Sequence, residues 1–235
     1  MTEREKMLSG ALYASEDPEL AAARIRARTL CGRLNQTPPE EREAQEEIIR
    51  RLFASVGENS TVNPVFWCDY GSNITAGDNF YVNYNCVILD CAPVTFGDNV
   101  FIAPNCGFYT AGHPLDAPTR NAGLEYARPI TVGSDVWFGG NVVVLPGVTI
   151  GSGSVIGAGS VVTRDIPDNR VAAGNPCRVP TGCELGKGIL EMEQLIAIDK
   201  ETKVEYIVLE THEGWVDGCP IKSLKTSAEY LAKKL

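Results

Sequence analysis

Two histidines, His113 and His212, occur among the 235 residues of this chain. His113 stands in YTAGHPLDAP, Tyr109 to Pro118, a stretch rich in loop-forming residues. Imidazole is the side chain best matched to accept a proton near neutral pH. On an accessible loop it could take the proton from a hydroxyl and turn a poor nucleophile into a competent one. Such a general base contributes about 10²- to 10⁴-fold in rate. Glu125 lies in the same loop. Three readings are open for it: orienting the imidazole, binding the molecule that reacts, or facing solvent. Metal chemistry is not expected. The eight cysteines (31, 68, 86, 91, 106, 177, 183 and 219) include no CxxC pair, and two histidines cannot supply a three-histidine metal site.

The loop at 109–128 interrupts a six-residue repeat. Val132, Phe138, Val144, Ile150, Ile156 and Val162 recur without a slip, and a second set, Ile130, Val136, Val142, Val148, Ser154 and Ser160, precedes them by two. The same phase runs upstream through Tyr70, Ala76, Val82 and Ile88, slips by two, and resumes at Phe96, Ile102 and Phe108. A hexapeptide period marks a parallel β-helix, and a six-residue step would scatter these side chains around an α-helix. Three hexapeptides make one turn, so residues eighteen apart stack: Val132 on Ile150, Phe138 on Ile156, Val144 on Val162. Gly133, Gly139, Gly151 and Gly157 follow inward residues, where a corner with positive φ is expected. A smooth solenoid wall has no pocket, so a long protruding loop is a natural place for function.

Three segments follow. Residues 1–57 read as helical: Thr2 with Glu5 forms a capping-box pattern, and Asp17-Pro18 starts a second helix. Thr37-Pro38 with Glu40 predicts the start of a third, whose apolar face is Ile48, Ile49, Leu52, Phe53 and Val56. Residues 58–180 carry the repeat, and 181–235 lose it, with strand-like alternation at Val204, Tyr206 and Val208 and a helical pattern at the end. The fold class is therefore mainly β, a parallel β-helix with an N-terminal helical segment and a protruding loop. Net charge is −9, which argues against a nucleic-acid or anionic-membrane partner. It leaves room for a small phosphorylated ligand at a local cationic spot. No run reaches the 18 to 20 apolar residues of a membrane span, and MTEREKMLSG lacks the apolar middle of a secretory signal. A cytoplasmic protein with free thiols is expected.

The chain resembles the maltose and galactoside O-acetyltransferases, a branch of the hexapeptide-repeat acyltransferases. The resemblance spans about residues 2–180 and rests on EKMLSGALY, RARTLC, CDYGSNI, NFYVNYNCVILD, IAPN, GHP, RPITVGSDVWFGGNVVVLPGVTIG, VIGAGSVVTRDIP and VAAGNPCRV, in that order. It is nearest the maltose branch. It implies a left-handed β-helix, a homotrimer with sites between subunits, acetyl-CoA as donor, and His113 as the catalytic base.

By the same resemblance Asn83 faces the acceptor hydroxyl and the developing oxyanion. A residue tolerant of left-handed backbone at a corner is the alternative reading of that asparagine. Asp69 and Tyr81 match acceptor-pocket positions. Trp137, Gly140, Ala158, Thr163, Arg164 and Arg178 match the CoA groove, where arginines would meet phosphates. Three departures stand out. Cys91 and Ser15 replace aspartates of the galactoside enzymes, whereas Thr181 replaces a second arginine. The resemblance implies a sugar acceptor such as maltose or glucose and no metal. The other readings are a CoA-dependent acyltransferase acting on a non-sugar hydroxylated metabolite, and a silent trimeric scaffold.

Overall fold

Helix α1 (Glu3–Ser9) begins at the expected capping box: Thr2 Oγ1 accepts the Glu5 N–H at 3.1 Å and Glu5 Oε2 accepts the Thr2 N–H at 2.8 Å. The short strand β1 (Tyr13–Ala14) follows, then α2 (Pro18–Gln36), capped by Asp17 with Pro18 in its first turn. Thr37 does not start the third helix. It is the C-cap of α2, and its N–H reaches the Arg33 and Leu34 carbonyls. Two prolines after it cannot continue a helix. Helix α3 (Arg42–Leu52) starts later, at Glu41, and Val56 belongs to a strand rather than to its apolar face. The computed structural model describes residues 1–179. The strand and helix expected within 181–235 lie outside the described residues.

The solenoid is built coil by coil. The first coil is β2 (Ser55–Val56), β3 (Thr61–Val62) and β4 (Phe66–Cys68), and the second is β5 (Ile74–Ala76), β6 (Tyr81–Val82) and β7 (Cys86–Leu89). The third is β8 (Val94–Phe96), β9 (Phe101–Ile102) and β10 (Gly107–Tyr109). There β11 (Ala111–Gly112), helix α4 (Ala117–Asn121) and β12 (Leu124–Ala127) leave the wall as a hairpin. The fourth coil is β13 (Ile130–Val132), β14 (Trp137–Phe138) and β15 (Val143–Val144), and the fifth is β16 (Thr149–Ile150), β17 (Val155–Ile156) and β18 (Val161–Val162). Strand β19 (Val171–Ala172) belongs to a sixth. The first strands of the coils form one parallel face, the second strands another and the third strands the last.

Val132 pairs with Ile150, Phe138 with Ile156 and Val144 with Val162, so residues eighteen apart do stack in these coils. The earlier coils are longer. Val62 lies beside Val82 and Val82 beside Ile102, twenty apart. The surplus always sits at the corner between the third face and the first. The inward step there is eight residues from Cys68 to Ala76 and from Ile88 to Phe96, and twenty-four from Phe108 to Val132. Tyr70 is therefore not an inward member of the repeat. It is buried in a satellite core with Met7, Tyr13, Leu20, Cys91, Ala92 and Ala127, outside the wall.

Inside the prism Phe80, Phe96, Phe108 and Phe138 stack at successive centroid separations of 4.8, 5.2 and 5.1 Å. Each such buried side chain contributes about 1.5–3 kcal/mol of transfer free energy. Helix α2 covers the open edge of the first coil. Asn35 donates to the Phe66 carbonyl at 3.0 Å and accepts the Phe66 N–H at 2.8 Å, as a neighbouring strand would.

The glycines after the inward residues answer to crowding rather than to positive φ. None of Gly133, Gly139, Gly151 or Gly157 is left-handed. A Cβ on Gly133 would stand 2.6 Å from the Ser152 backbone nitrogen of the next coil. The left-handed positions are taken by other residues, including Asn79, Asn99 and Asp135, whose side chains form a hydrogen-bonded ladder at 2.8 Å per step. Gly133→Ala is expected to lower the unfolding free energy by about 1–3 kcal/mol in denaturant titration, because backbone cannot yield.

Candidate active site

The corner between the third and first faces carries the site. Three successive coils widen there, and the wide segments pack on the N-terminal segment. The hairpin sets the position of His113. Ala111 and Gly112 pair with Ala127 and Tyr126, and His113 follows directly. A Cβ on Gly112 would come 2.6 Å from the Tyr126 ring, so the glycine of GHP admits that ring. The Arg128 guanidinium lies over the same ring, 5.8 Å from its centroid. After the histidine, Arg120 Nη1 donates to the Pro114 and Leu115 carbonyls at 3.0 and 3.1 Å, and Asp116 caps α4 by accepting the Thr119 N–H at 2.9 Å. The loop is thus a braced platform. It presents an exposed imidazole that no described side chain of the chain hydrogen-bonds.

Two carboxylates share this corner. Asp69 follows β4, and Glu125 lies in β12. Asp69 is half-buried, and burial raises its pKa against the opposing influence of a hydrogen bond from the Cys91 thiol, Sγ to Oδ2 3.4 Å. Burial also drives the Cys91 thiol well above its ordinary value, so it stays protonated and donates. Glu125 Oε2 accepts the Tyr13 hydroxyl at 2.8 Å. Ser15 comes just after the strand that carries Tyr13.

Asp90, which sequence reasoning did not single out, anchors this corner from within. It is fully buried and accepts the N–H groups of Asp69 (3.0 Å), Tyr70 (2.8 Å) and Asn73 (3.3 Å). Burial raises its pKa to about 6, against the lowering effect of those bonds. The folded state therefore binds its proton more tightly than the unfolded chain does. The stability this gives is full below about pH 4 and is lost as pH rises through 6. Urea unfolding of wild type beside Asp90→Asn from pH 4 to 7 is expected to show the difference shifting against the wild type over that window, by up to about 3 kcal/mol.

Asn83 stands at a different corner, between the second and third faces, just after β6. It is not left-handed; Asn85 is. Its Oδ1 accepts the Tyr84 N–H at 2.8 Å, which pins the amide by its oxygen and leaves the NH₂ as the presented end. Gly140 and Ala158 lie on this same corner, two and three coils further on. Gly139 has no room for a Cβ beneath Ala158, whereas one on Gly159 would meet nothing within 4 Å. The corner is narrow in bulk and open outside. Tyr81 and Trp137 lie on the outer side of the second face, each in register with Phe101 between them, and all three rings are exposed. Thr163 and Arg164 are exposed at the third-to-first corner after β18. Arg178 is exposed near the end of the described wall, its guanidinium donating to the Cys177 carbonyl at 2.7 Å.

Asp69, Glu125 and the His113 hairpin thus share one corner, whereas Asn83, Gly140 and Ala158 share another. Among the described residues all six cysteines are reduced and buried. No described helix is long and apolar enough to cross a membrane.

A three-faced hexapeptide solenoid with a histidine hairpin at one corner and a column of small residues at another defines the class: a hexapeptide-repeat transferase. Residues 6–57 match the maltose acetyltransferase hexapeptide capping motif, and residues 129–164 match the bacterial transferase hexapeptide, six repeats. A putative acetyltransferase of Saccharomyces cerevisiae is 54% identical over 176 residues, 74% of this chain and 90% of that protein. A maltose O-acetyltransferase from Clostridium difficile has a similar structure, with a TM-score of 0.78 and 50% identity, covering 80% of this chain and 99% of the other. A galactoside acetyltransferase in complex with coenzyme A gives a TM-score of 0.74 at 44% identity, covering 89% and 100%. The chain belongs to the maltose/galactoside O-acetyltransferase family, and it is an acetyltransferase.

Proposed function

We propose that the protein transfers an acetyl group from acetyl-CoA to a hydroxyl of a sugar such as maltose or glucose, directly within a ternary complex. The observation that carries this reading is the braced hairpin that presents an exposed His113 at the corner that also carries the half-buried Asp69 and Glu125. His113 removes the proton from the acceptor hydroxyl as its oxygen attacks the thioester carbonyl, and CoA leaves as the thiolate. The NH₂ of Asn83 donates to the oxygen on which charge develops. Asp69 and Glu125 accept hydrogen bonds from other hydroxyls of the acceptor, and Tyr81 supplies an aromatic wall.

The groove for the donor fits its shape. Gly140 and Ala158 leave space along their corner for a thin pantetheine arm, Trp137 packs beside it, Thr163 offers a hydroxyl, and Arg164 and Arg178 are exposed cations for its phosphates. The thioester supplies the activated acetyl group.

The active unit is a cytoplasmic homotrimer. Support comes from the separation of the two corners: His113 and Asn83 are divided by the width of the third face, roughly 15 Å at about 3.3 Å per residue. A neighbouring copy brings one corner against the other, and the exposed Tyr81, Phe101 and Trp137 lie on a face suited to being covered.

The test is thiol release from acetyl-CoA, with glucose, maltose, a galactoside and a non-sugar alcohol as acceptors. A control without acceptor separates CoA from the protein's eight cysteines. Sugar-dependent release supports the reading. Release with the non-sugar alcohol alone moves the acceptor to another hydroxylated metabolite, and no release from intact trimers points to a scaffold.

A further inference from the structure

Tyr13 has no role in the chemistry above, yet its hydroxyl is held beside the site on a fully buried residue. The residue is fully buried, with its ring in the satellite core. Strand β1 pairs antiparallel with β12 so that Tyr13 lies directly opposite Glu125. The hydroxyl donates to Glu125 Oε2 at 2.8 Å. The Cys91 thiol stands against the same hydroxyl and donates its own proton to Asp69 Oδ2 at 3.4 Å. Glu125 thus meets the tyrosine directly, and Asp69 is linked to it through the Cys91 thiol. They also repel each other: after burial, the charge of Glu125 is among the causes that raise the Asp69 pKa. Both side chains are only half-buried, and the ties hold them against that repulsion. Held by one oxygen each, they present the remaining oxygens at a fixed spacing, which suits a polyhydroxylated acceptor.

We propose that Tyr13 is a positioning residue that sets the spacing of the acceptor-binding carboxylates Glu125 and Asp69, the second through Cys91. This rests on the reading that those two carboxylates meet the acceptor. The N-terminal segment then serves the reaction as well as the fold, and acceptor preference depends on a residue that does not touch the acceptor.

The test is Tyr13→Phe in the full chain, which keeps the ring and removes the hydroxyl. With maltose and acetyl-CoA as substrates, KM for maltose is expected to rise about 10-fold or more, the scale of a hydrogen bond to a charged group. The KM for acetyl-CoA stays unchanged, and kcat changes by about twofold at most on the same reasoning. In a Glu125→Ala background the same substitution should have a clearly smaller effect, because its direct arm is gone and only the one through Cys91 remains. An unchanged KM for maltose overturns the inference. So does an equal effect in the Glu125→Ala background, or a parallel rise in KM for acetyl-CoA, either of which describes packing. Should Tyr13→Phe fail to fold, Cys91→Ala tests the other arm, with Asp69→Ala as its background and the same outcomes. A wild type that acetylates no hydroxyl acceptor removes the functional reading first and this inference with it. A wild type that acetylates maltose alongside an indistinguishable Tyr13→Phe removes the inference alone.

Discussion

His113→Ala is expected to lower kcat/KM for acetyl transfer by about 10²- to 10⁴-fold, roughly 3–5.5 kcal/mol of barrier. The structure gives reasons for a clean result. The imidazole is exposed and bears no load in the loop, which is braced by Tyr126 on Gly112, by Arg120 on two carbonyls and by Asp116 at α4. Removing it should leave thermal stability unchanged while the chemistry collapses. Thiol release under saturating acetyl-CoA measures the effect, with KM for acetyl-CoA as the internal control. A loss below about tenfold would take the base role away from this residue. A large loss accompanied by a lower melting temperature would mean that the hairpin, and not the base, had been disturbed.

The second large effect is a gain. Asn83→Ala is expected to be nearly inactive too, since one oxyanion donor is worth about 10²- to 10³-fold. Asn83 and His113 stand at different corners of the prism, so in a trimer with shared sites they come from different subunits. Unfolding and refolding an equal mixture of the two inactive variants should then restore activity. Random assembly gives about a quarter of sites an intact pair. Either variant refolded alone stays inactive. Failure of the mixture, with trimers verified by mass, would place both residues in one subunit's site and end the shared-site reading.

The inward positions of the wall were readable in the sequence because a solenoid repeats one environment many times. Val132 through Val162 had no freedom to deviate, and they stack as expected. Tyr70 misled because burial alone does not distinguish a wall residue from one under an excursion. It sits six before Ala76, but Cys68 is the inward residue and the step is eight. Gly133 and its equivalents were given the wrong cause. Sequence shows that a side chain is absent but not whether backbone twist or a neighbour forbids it, and here the next coil does. Thr37-Pro38 carried a start signal, yet the same residues serve to stop α2.

At the site, the hairpin histidine was legible because it broke a rhythm. Tyr13 was not, since nothing local marks a two-residue strand whose partner lies 112 positions away. The one available sign was an aromatic with a polar tip just ahead of Ser15, already a point of departure from the galactoside enzymes. Asp90 was hidden in the same way. A buried carboxylate that accepts three backbone N–H groups reads in sequence as an ordinary turn residue.

The concentration of every surplus residue at one corner has a consequence for how such a protein diversifies. The ladders keep register whether the chain takes eight residues or twenty-four to pass from the third face to the first. That corner is a socket in an otherwise fixed chassis. Segments of different length are accommodated there without shifting a single ladder, whereas the inward step at the other two corners stays at six residues. The segments at that corner are therefore free to drift, or to be grafted by an engineer, while the stacked wall stays as it is.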